Sequence, residues 1–286
     1  DLGPKHPGEA QLTPKALTAT SIYYYDLKLV SKIAEVLNKE SDVSKYGDLA
    51  NIIRGAFQKK FFDPQTGSCS TGSQTSLAMS LYTGILPEQD YEKVFNNLIN
   101  SIEQNDYALT AGDIGYHFLV RVLSENGRSD ILYKMNNRSD KPGYGMQIKK
   151  GATSLTESWA ALPNVSNLHM MLGHLMEWFY SGLGGIYQAD NSIAYKSIII
   201  APKPVGDIQW VRCSFNSQQG IIASEWELLE NTFLLTVEVP KTSSARIIIP
   251  ENFINSKIEI INLSNKKTIQ VKIIEGSFKL ETGNYK

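Results

Sequence analysis

Gly151-Ala152-Thr153-Ser154-Leu155-Thr156-Glu157-Ser158-Trp159 is the stretch from which the rest of the chain can be read. It is built of small residues, then one carboxylate, then an indole two positions later. Such a segment does not continue a helix, yet helical patterns flank it. Behind it, Leu168, Met171, Leu172, Leu175, Phe179 and Leu183 recur at a 3.6-residue period and predict a helix over Ser166–Leu183. The loop-rich region Asp140–Pro163 around it is expected to hold a short hairpin at Tyr144–Lys149. A carboxylate in a Gly/Ala/Thr loop has no helical ion-pair partner and is free to face a cleft. Trp159 beside it can exclude water from Glu157 or stack on a ligand ring.

Working toward the N-terminus, helices alternate with short connections. Gly3, Pro4, Pro7 and Gly8 mark a loop over residues 1–12, and Thr13-Pro14 then supplies a cap and a first-turn proline. The first helix runs to about Asn38. Its apolar residues form two faces, Leu17/Tyr24/Leu27/Val30 and Ile22/Leu29/Ile33/Val36, which predicts packing on both sides. Further helices are expected over Val43–Phe62, 73–85, 88–106, Gly112–Asn126 and 129–137. Helices joined this way pack as antiparallel neighbours in layers or a ring.

After Asp190 the texture changes. Ser197–Ile200, Gln209–Phe215, Gly220–Leu228, Thr232–Val239, Ala245–Ile249, Lys257–Asn262, Thr268–Ile274 and Ser277–Leu280 are short β-branched or alternating runs punctuated by Gly, Pro, Asn and Ser. They predict an antiparallel β-sandwich. The fold class is therefore mainly α then all-β, with residues 1–190 helical, 191–286 a sandwich, and the boundary near Gln188–Ser192.

Composition narrows the function. The 286 residues carry a formal net charge of −1 with scattered Lys and Arg, so nothing favours nucleic acid or an anionic membrane. No apolar run approaches the length of a membrane span. Cys69 and Cys213 fall in different predicted domains and read as two thiols rather than a disulfide or metal knuckle. The four histidines show no metal spacing, and no phosphate-binding glycine motif occurs, so neither metal nor cofactor is expected. Asp1-Leu2-Gly3-Pro4 opens directly on a loop, without Met or a charged leader, and reads as starting within a domain.

Several motifs agree in order and spacing with one family. They are Leu12-Thr13-Pro14…Tyr23-Tyr24-Tyr25-Asp26-Leu27, Gly72-Ser73-Gln74-Thr75, Leu123-Ser124-Glu125-Asn126-Gly127-Arg128, Gly151-Ala152-Thr153…Glu157-Ser158-Trp159, and Glu177-Trp178-Phe179-Tyr180…Gly185-Ile186. Over about residues 1–190 the chain resembles the bacterial α-L-rhamnosidases, whose six-hairpin (α/α)6 barrel is followed by a C-terminal β-sandwich. The resemblance implies that 1–190 is the C-terminal portion of such a barrel, because about seven helices fall short of a full ring.

It also implies inverting hydrolysis of a terminal α-L-rhamnose in an oligo- or polysaccharide, in a periplasmic or secreted full-length protein. Two carboxylates share that reaction. The family pattern places the general base at Glu157. The acid is expected upstream, in a missing N-terminal part of the same protein, so this stretch alone is expected to be inactive. Trp159, His169, Gln74 and Tyr144 are the expected substrate contacts. Asp113 reads as a helix cap; His117, His174 and Trp178 read as packing; Asp26 and Glu177 read as structural. The chain departs from the family at Thr156, Ala160 and Leu168. The competing readings are a re-specialised or non-catalytic carbohydrate-binding barrel and a polysaccharide lyase.

Overall fold

The computed structural model describes residues 11–161, 163–190 and 192–286; the opening loop expected over residues 1–12 lies outside the described residues for most of its length. Internal contacts divide the chain into two units, one reaching His174 and one spanning Leu175–Lys286.

In the first unit, α1 (Lys15–Val36) pairs with α2 (Glu40–Phe61), and a two-residue ribbon, β1 (Phe62–Asp63) with β2 (Ser68–Cys69), leads to α3 (Gln74–Thr83). Then come α4 (Tyr91–Gln104), α5 (Asp113–Glu125), α6 (Ser129–Asn136) and α7 (Tyr144–Lys149). The hairpins α1/α2, α3/α4 and α5/α6 follow one another, and α1, α3 and α5 are in contact as successive neighbours. The burial patterns follow from that. Helix α4 buries one stripe, Val94, Phe95, Leu98, Ile99 and Ile102, as an outer helix does. Helix α3 is buried from Gln74 to Leu81, because it lies between α1, α4 and α5.

Helix starts are tied together. The Ser73 hydroxyl accepts from the Ser76 N–H (3.1 Å) and lies 2.7 Å from the Thr13 hydroxyl, linking the α3 cap to the start of α1. Helix α5 approaches α3 at Gly115, where a Cβ would meet the Thr75 side chain at 1.8 Å.

Three expectations change. Helix α1 buries Leu17, Ser21, Tyr24, Leu27 and Ala34, whereas Leu29, Ile33 and Val36 of its second apolar face are exposed in this structure. Tyr144–Lys149 is helical, not a hairpin: six residues give one hydrogen-bonded turn and more, and Gly145 admits the Arg138 carbonyl, which a Cβ would meet at 2.1 Å. The continuous helix over Ser166–Leu183 is broken. Residues 166–169 run alongside the Glu157 loop, and helical turns occur only at Met170–Leu172, α8 (Leu175–Trp178) and a π turn at Phe179–Leu183. Of the apolar period, Leu172, Leu175 and Leu183 are buried while Leu168, Met171 and Phe179 are exposed; a periodic pattern does not oblige the backbone to keep its own hydrogen bonds when a neighbouring loop offers others.

The second unit holds β3 (Ile186–Gln188), β4 (Ser197–Ile200), β5 (Trp210–Ser217), β6 (Gly220–Leu229), β7 (Thr232–Val239), β8 (Ser244–Ile248), β9 (Ile260–Asn262), β10 (Lys267–Ile269), β11 (Ser277–Leu280) and β12 (Gly283–Tyr285). They form a six-stranded sheet ordered β10-β9-β12-β7-β6-β5 and a four-stranded sheet ordered β11-β8-β4-β3. Every pairing between these strands is antiparallel except β4 with β8. Ile198, Ile200, Ala245 and Ile247 from one sheet and Cys213, Ile222, Val237 and Tyr285 from the other share one core. Gly184 packs against Cys213, and the Trp226 indole donates to the Leu183 carbonyl (2.7 Å), so the π turn is fixed to the sheet. Among the described residues no helix is long and apolar enough to cross a membrane.

Replacing Gly115 by alanine is expected to destabilise the helical unit by about 1–3 kcal/mol through overpacking against Thr75. Urea titration followed by far-ultraviolet circular dichroism checks this; an unchanged midpoint would contradict so close an approach.

Candidate functional site

The Glu157 loop is held by an extended pairing rather than by a helix. The His169 N–H donates to the Leu155 carbonyl (2.8 Å), and the Glu157 N–H donates to the Ser166 carbonyl (2.8 Å). The Ser154 hydroxyl donates to the Asn167 carbonyl. The Ser166 N–H in turn donates to the Glu157 carboxylate at Oε2 (3.0 Å). Glu157 is therefore fixed through both backbone and side chain while its carboxylate stays exposed. A carboxylate held this way keeps lone pairs for a proton or a hydroxyl.

The residues on either side of Glu157 in sequence point inward. Thr156 and Ser158 are buried, and the Thr156 hydroxyl donates to the Ser158 carbonyl (2.6 Å). Trp159 is 5% exposed. Its indole N–H donates to the Ala111 carbonyl (2.6 Å), and its ring lies edge-on to Tyr116 (4.8 Å between centroids) and Tyr144 (5.1 Å). Buried this way, Trp159 offers no open face to a sugar and is a prop under the loop. Tyr144 donates its hydroxyl to the Leu172 carbonyl and packs on Trp159. Tyr116, fully buried, donates to Asn136 Oδ1 (3.0 Å), and burial holds its hydroxyl well above the usual tyrosine range.

Gln74 is also fully buried. Its amide donates to the Ala108 carbonyl (2.9 Å), and its oxygen accepts from the Thr110 (3.0 Å) and Ala111 (3.3 Å) N–H groups. It thus fixes the connection ahead of α5 whose Ala111 carbonyl holds Trp159. Burial puts Gln74, like Trp159, out of reach of a ligand in solution and gives it a bracing role.

His169 is brought toward solvent beside a partner that sequence reading missed. Its Nε2 lies 3.3 Å from Asp113 Oδ2, and both side chains are partly exposed. The cap of α5 is Gly112; Asp113, one position later, accepts from the Ile114 N–H at Oδ1 (3.0 Å) and turns its other oxygen to His169. Nothing in the sequence signals a pair separated by 56 positions. The structure thus places Glu157 and the Asp113–His169 pair around one loop, with Trp159, Tyr144 and Gln74 beneath it. The rings of His117 and His174, both half-buried, lie tilted against each other with centroids 4.8 Å apart. Among the described residues no group of three or more His, Cys, Asp or Glu is placed to hold a metal ion.

The described residues thus hold three helical hairpins in sequence, an exposed acid on a braced loop, and a following pair of packed sheets. Residues 2–183 match the model of the bacterial α-L-rhamnosidase six-hairpin glycosidase domain, and residues 185–258 match that of the bacterial α-L-rhamnosidase C-terminal domain. The chain belongs to the bacterial α-L-rhamnosidase family. It is 30% identical over 269 residues to an α-L-rhamnosidase of Formosa agariphila, covering 91% of this chain and 29% of that protein. The α-L-rhamnosidase structure from Dictyoglumus thermophilum superposes with a TM-score of 0.84 at 29% identity, over 98% of this chain and 32% of that one. That of Streptomyces avermitilis α-L-rhamnosidase, complexed with L-rhamnose, superposes with a TM-score of 0.83 at 26% identity, over 96% and 26%. The chain thus spans about a third or less of the length of these relatives.

Gln74→Ala is expected to cost about 1–3 kcal/mol, because it strands two buried N–H groups. Chemical denaturation measures the loss; a change within about 0.5 kcal/mol would remove Gln74 from the brace.

Proposed function

We propose that this chain is the part of an inverting α-L-rhamnosidase that supplies the general base, Glu157. Family membership supports the reaction class. The observation that carries the residue is local: Glu157 is the exposed carboxylate on a loop whose backbone is paired at Leu155 and Glu157 and underpinned by Trp159. In this reading Glu157 takes a proton from water, whose oxygen attacks the anomeric carbon of a terminal α-L-rhamnose. A second carboxylic acid, contributed from outside these 286 residues, protonates the departing glycosidic oxygen.

His169, oriented by Asp113, offers a ring nitrogen to a sugar hydroxyl. Trp159, Tyr144 and Gln74 hold the loop rather than the sugar. The residues up to about Leu183 act as barrel and those from Ile186 onward, where β3 joins the four-stranded sheet, as sandwich, and the substrate is a rhamnose-containing glycan or glycoside met in the periplasm or outside the cell. The Streptomyces avermitilis relative, complexed with L-rhamnose, supports the sugar.

The test is hydrolysis of p-nitrophenyl α-L-rhamnoside by the full-length protein containing this chain. Glu157→Gln is expected to lower kcat by roughly 10²–10⁴-fold with the fold intact, and proton NMR is expected to show the inverted anomer first. An unchanged rate in the variant sinks the assignment of the base.

A further inference from the structure

The outward face of the six-stranded sheet carries a second chemistry-bearing surface, remote in sequence from Glu157. Strand β5 lies at the sheet edge, and its residues alternate in burial, so Trp210, Arg212, Ser214 and Asn216 point outward. Trp210 is 61% exposed, unusual for the side chain with the most to gain from burial. The Arg212 guanidinium lies over its ring at 5.4 Å. Register sets Glu227 directly opposite Trp210 and Glu225 opposite Arg212, and Glu225 in turn faces Thr236 on β7. Two residues further along β7, Glu238 faces Asn284 of β12.

A groove of about 370 Å³ opens on this same face, lined by Glu225, Thr236, Glu238, Ser264 and Asn284. That size lies within the range of small-ligand sites, about 300–1,000 Å³. From β5 to β12 the row crosses three strand spacings of about 4.8 Å each, the reach of a short oligosaccharide.

We propose that this face, from Trp210 and Arg212 across Glu225 and Glu227 to Thr236, Glu238 and Asn284, binds a neutral oligosaccharide. An exposed indole offers a flat surface for the C–H face of a pyranose. The carboxylates, amide, hydroxyls and guanidinium around it supply the acceptors and donors that sugar hydroxyls take. Three carboxylates against one guanidinium leave the face negative, which repels uronate and sulfate groups and selects an uncharged glycan. The core owes nothing to Trp210; the inward positions of β6, Ile222, Ser224 and Trp226, are filled by other residues.

Calorimetric titration of the whole chain with rhamnotriose, xylotriose and cellotriose tests the proposal. At least one is expected to bind, with affinity weakened roughly tenfold by Trp210→Ala, a loss of the size expected for one stacking contact. Arg212→Ala is expected to weaken it less, and binding of xylotriose or cellotriose, which carry no rhamnose, separates this surface from the proposed hydrolytic site. Because Trp210 is exposed, its variant is expected to keep the wild-type thermal midpoint. The proposal is overturned if none of the three binds, if binding ignores both Trp210→Ala and Arg212→Ala, or if a glucuronate-bearing trisaccharide binds more tightly than the neutral ones.

Discussion

The indole N–H of Trp159 and the amide of Gln74 converge on one short backbone segment, Ala108–Ala111, and the position of Glu157 depends on that convergence. A loop of small residues has little apolar area with which to hold itself in place. Here the restraint comes from hydrogen bonds made in a buried setting, where leaving a donor unpaired costs more than an exposed bond returns. Gln74 fixes the connection before α5, that connection fixes the Trp159 ring, and the ring fixes the backbone two residues past Glu157. The exposed acid is precise because its neighbours are not exposed.

The same logic explains why so much of the helical unit is built on close approach. Thr75 meets Gly115 where α3 and α5 begin, the same ends from which Gln74 and Asp113 act. A side chain at 115 would separate those ends and move the 108–111 connection between them. Packing between α3 and α5 and hydrogen bonding at their starts are thus one constraint. In the second unit, tying the Leu183 carbonyl to Trp226 does comparable work, fixing the chain's entry to the sheets through a buried indole.

Much of this was legible beforehand. The helices from Lys15 to Asn136 form where their apolar periods run, although α1 buries only one of its two apolar faces, and the strands from Ser197 onward follow alternation and turn residues. That Glu157 sits exposed on a loop was legible because the small residues around it do not continue a helix. The roles of its neighbours were not. An aromatic beside an acid looks the same in sequence whether its ring faces a ligand or Tyr116, and Gln74 looks the same as a ligand contact or a brace. Asp113 was read as a cap because a single position at a helix start carries no information about a histidine 56 residues away.

What the sequence by itself determined is the order of elements, the change from helix to strand, and the placing of Glu157 in a loop of small residues, since these follow from local periodicity and residue chemistry. Only the tertiary structure decided that Ser166–His169 leaves the helical period to pair with Leu155–Glu157, that Trp159 and Gln74 turn inward, and that Trp210 turns outward over the same sheet that buries Trp226. The physical reason is that backbone and side-chain donors settle on whichever acceptors the assembled fold brings within reach, and those lie tens of residues away along the chain.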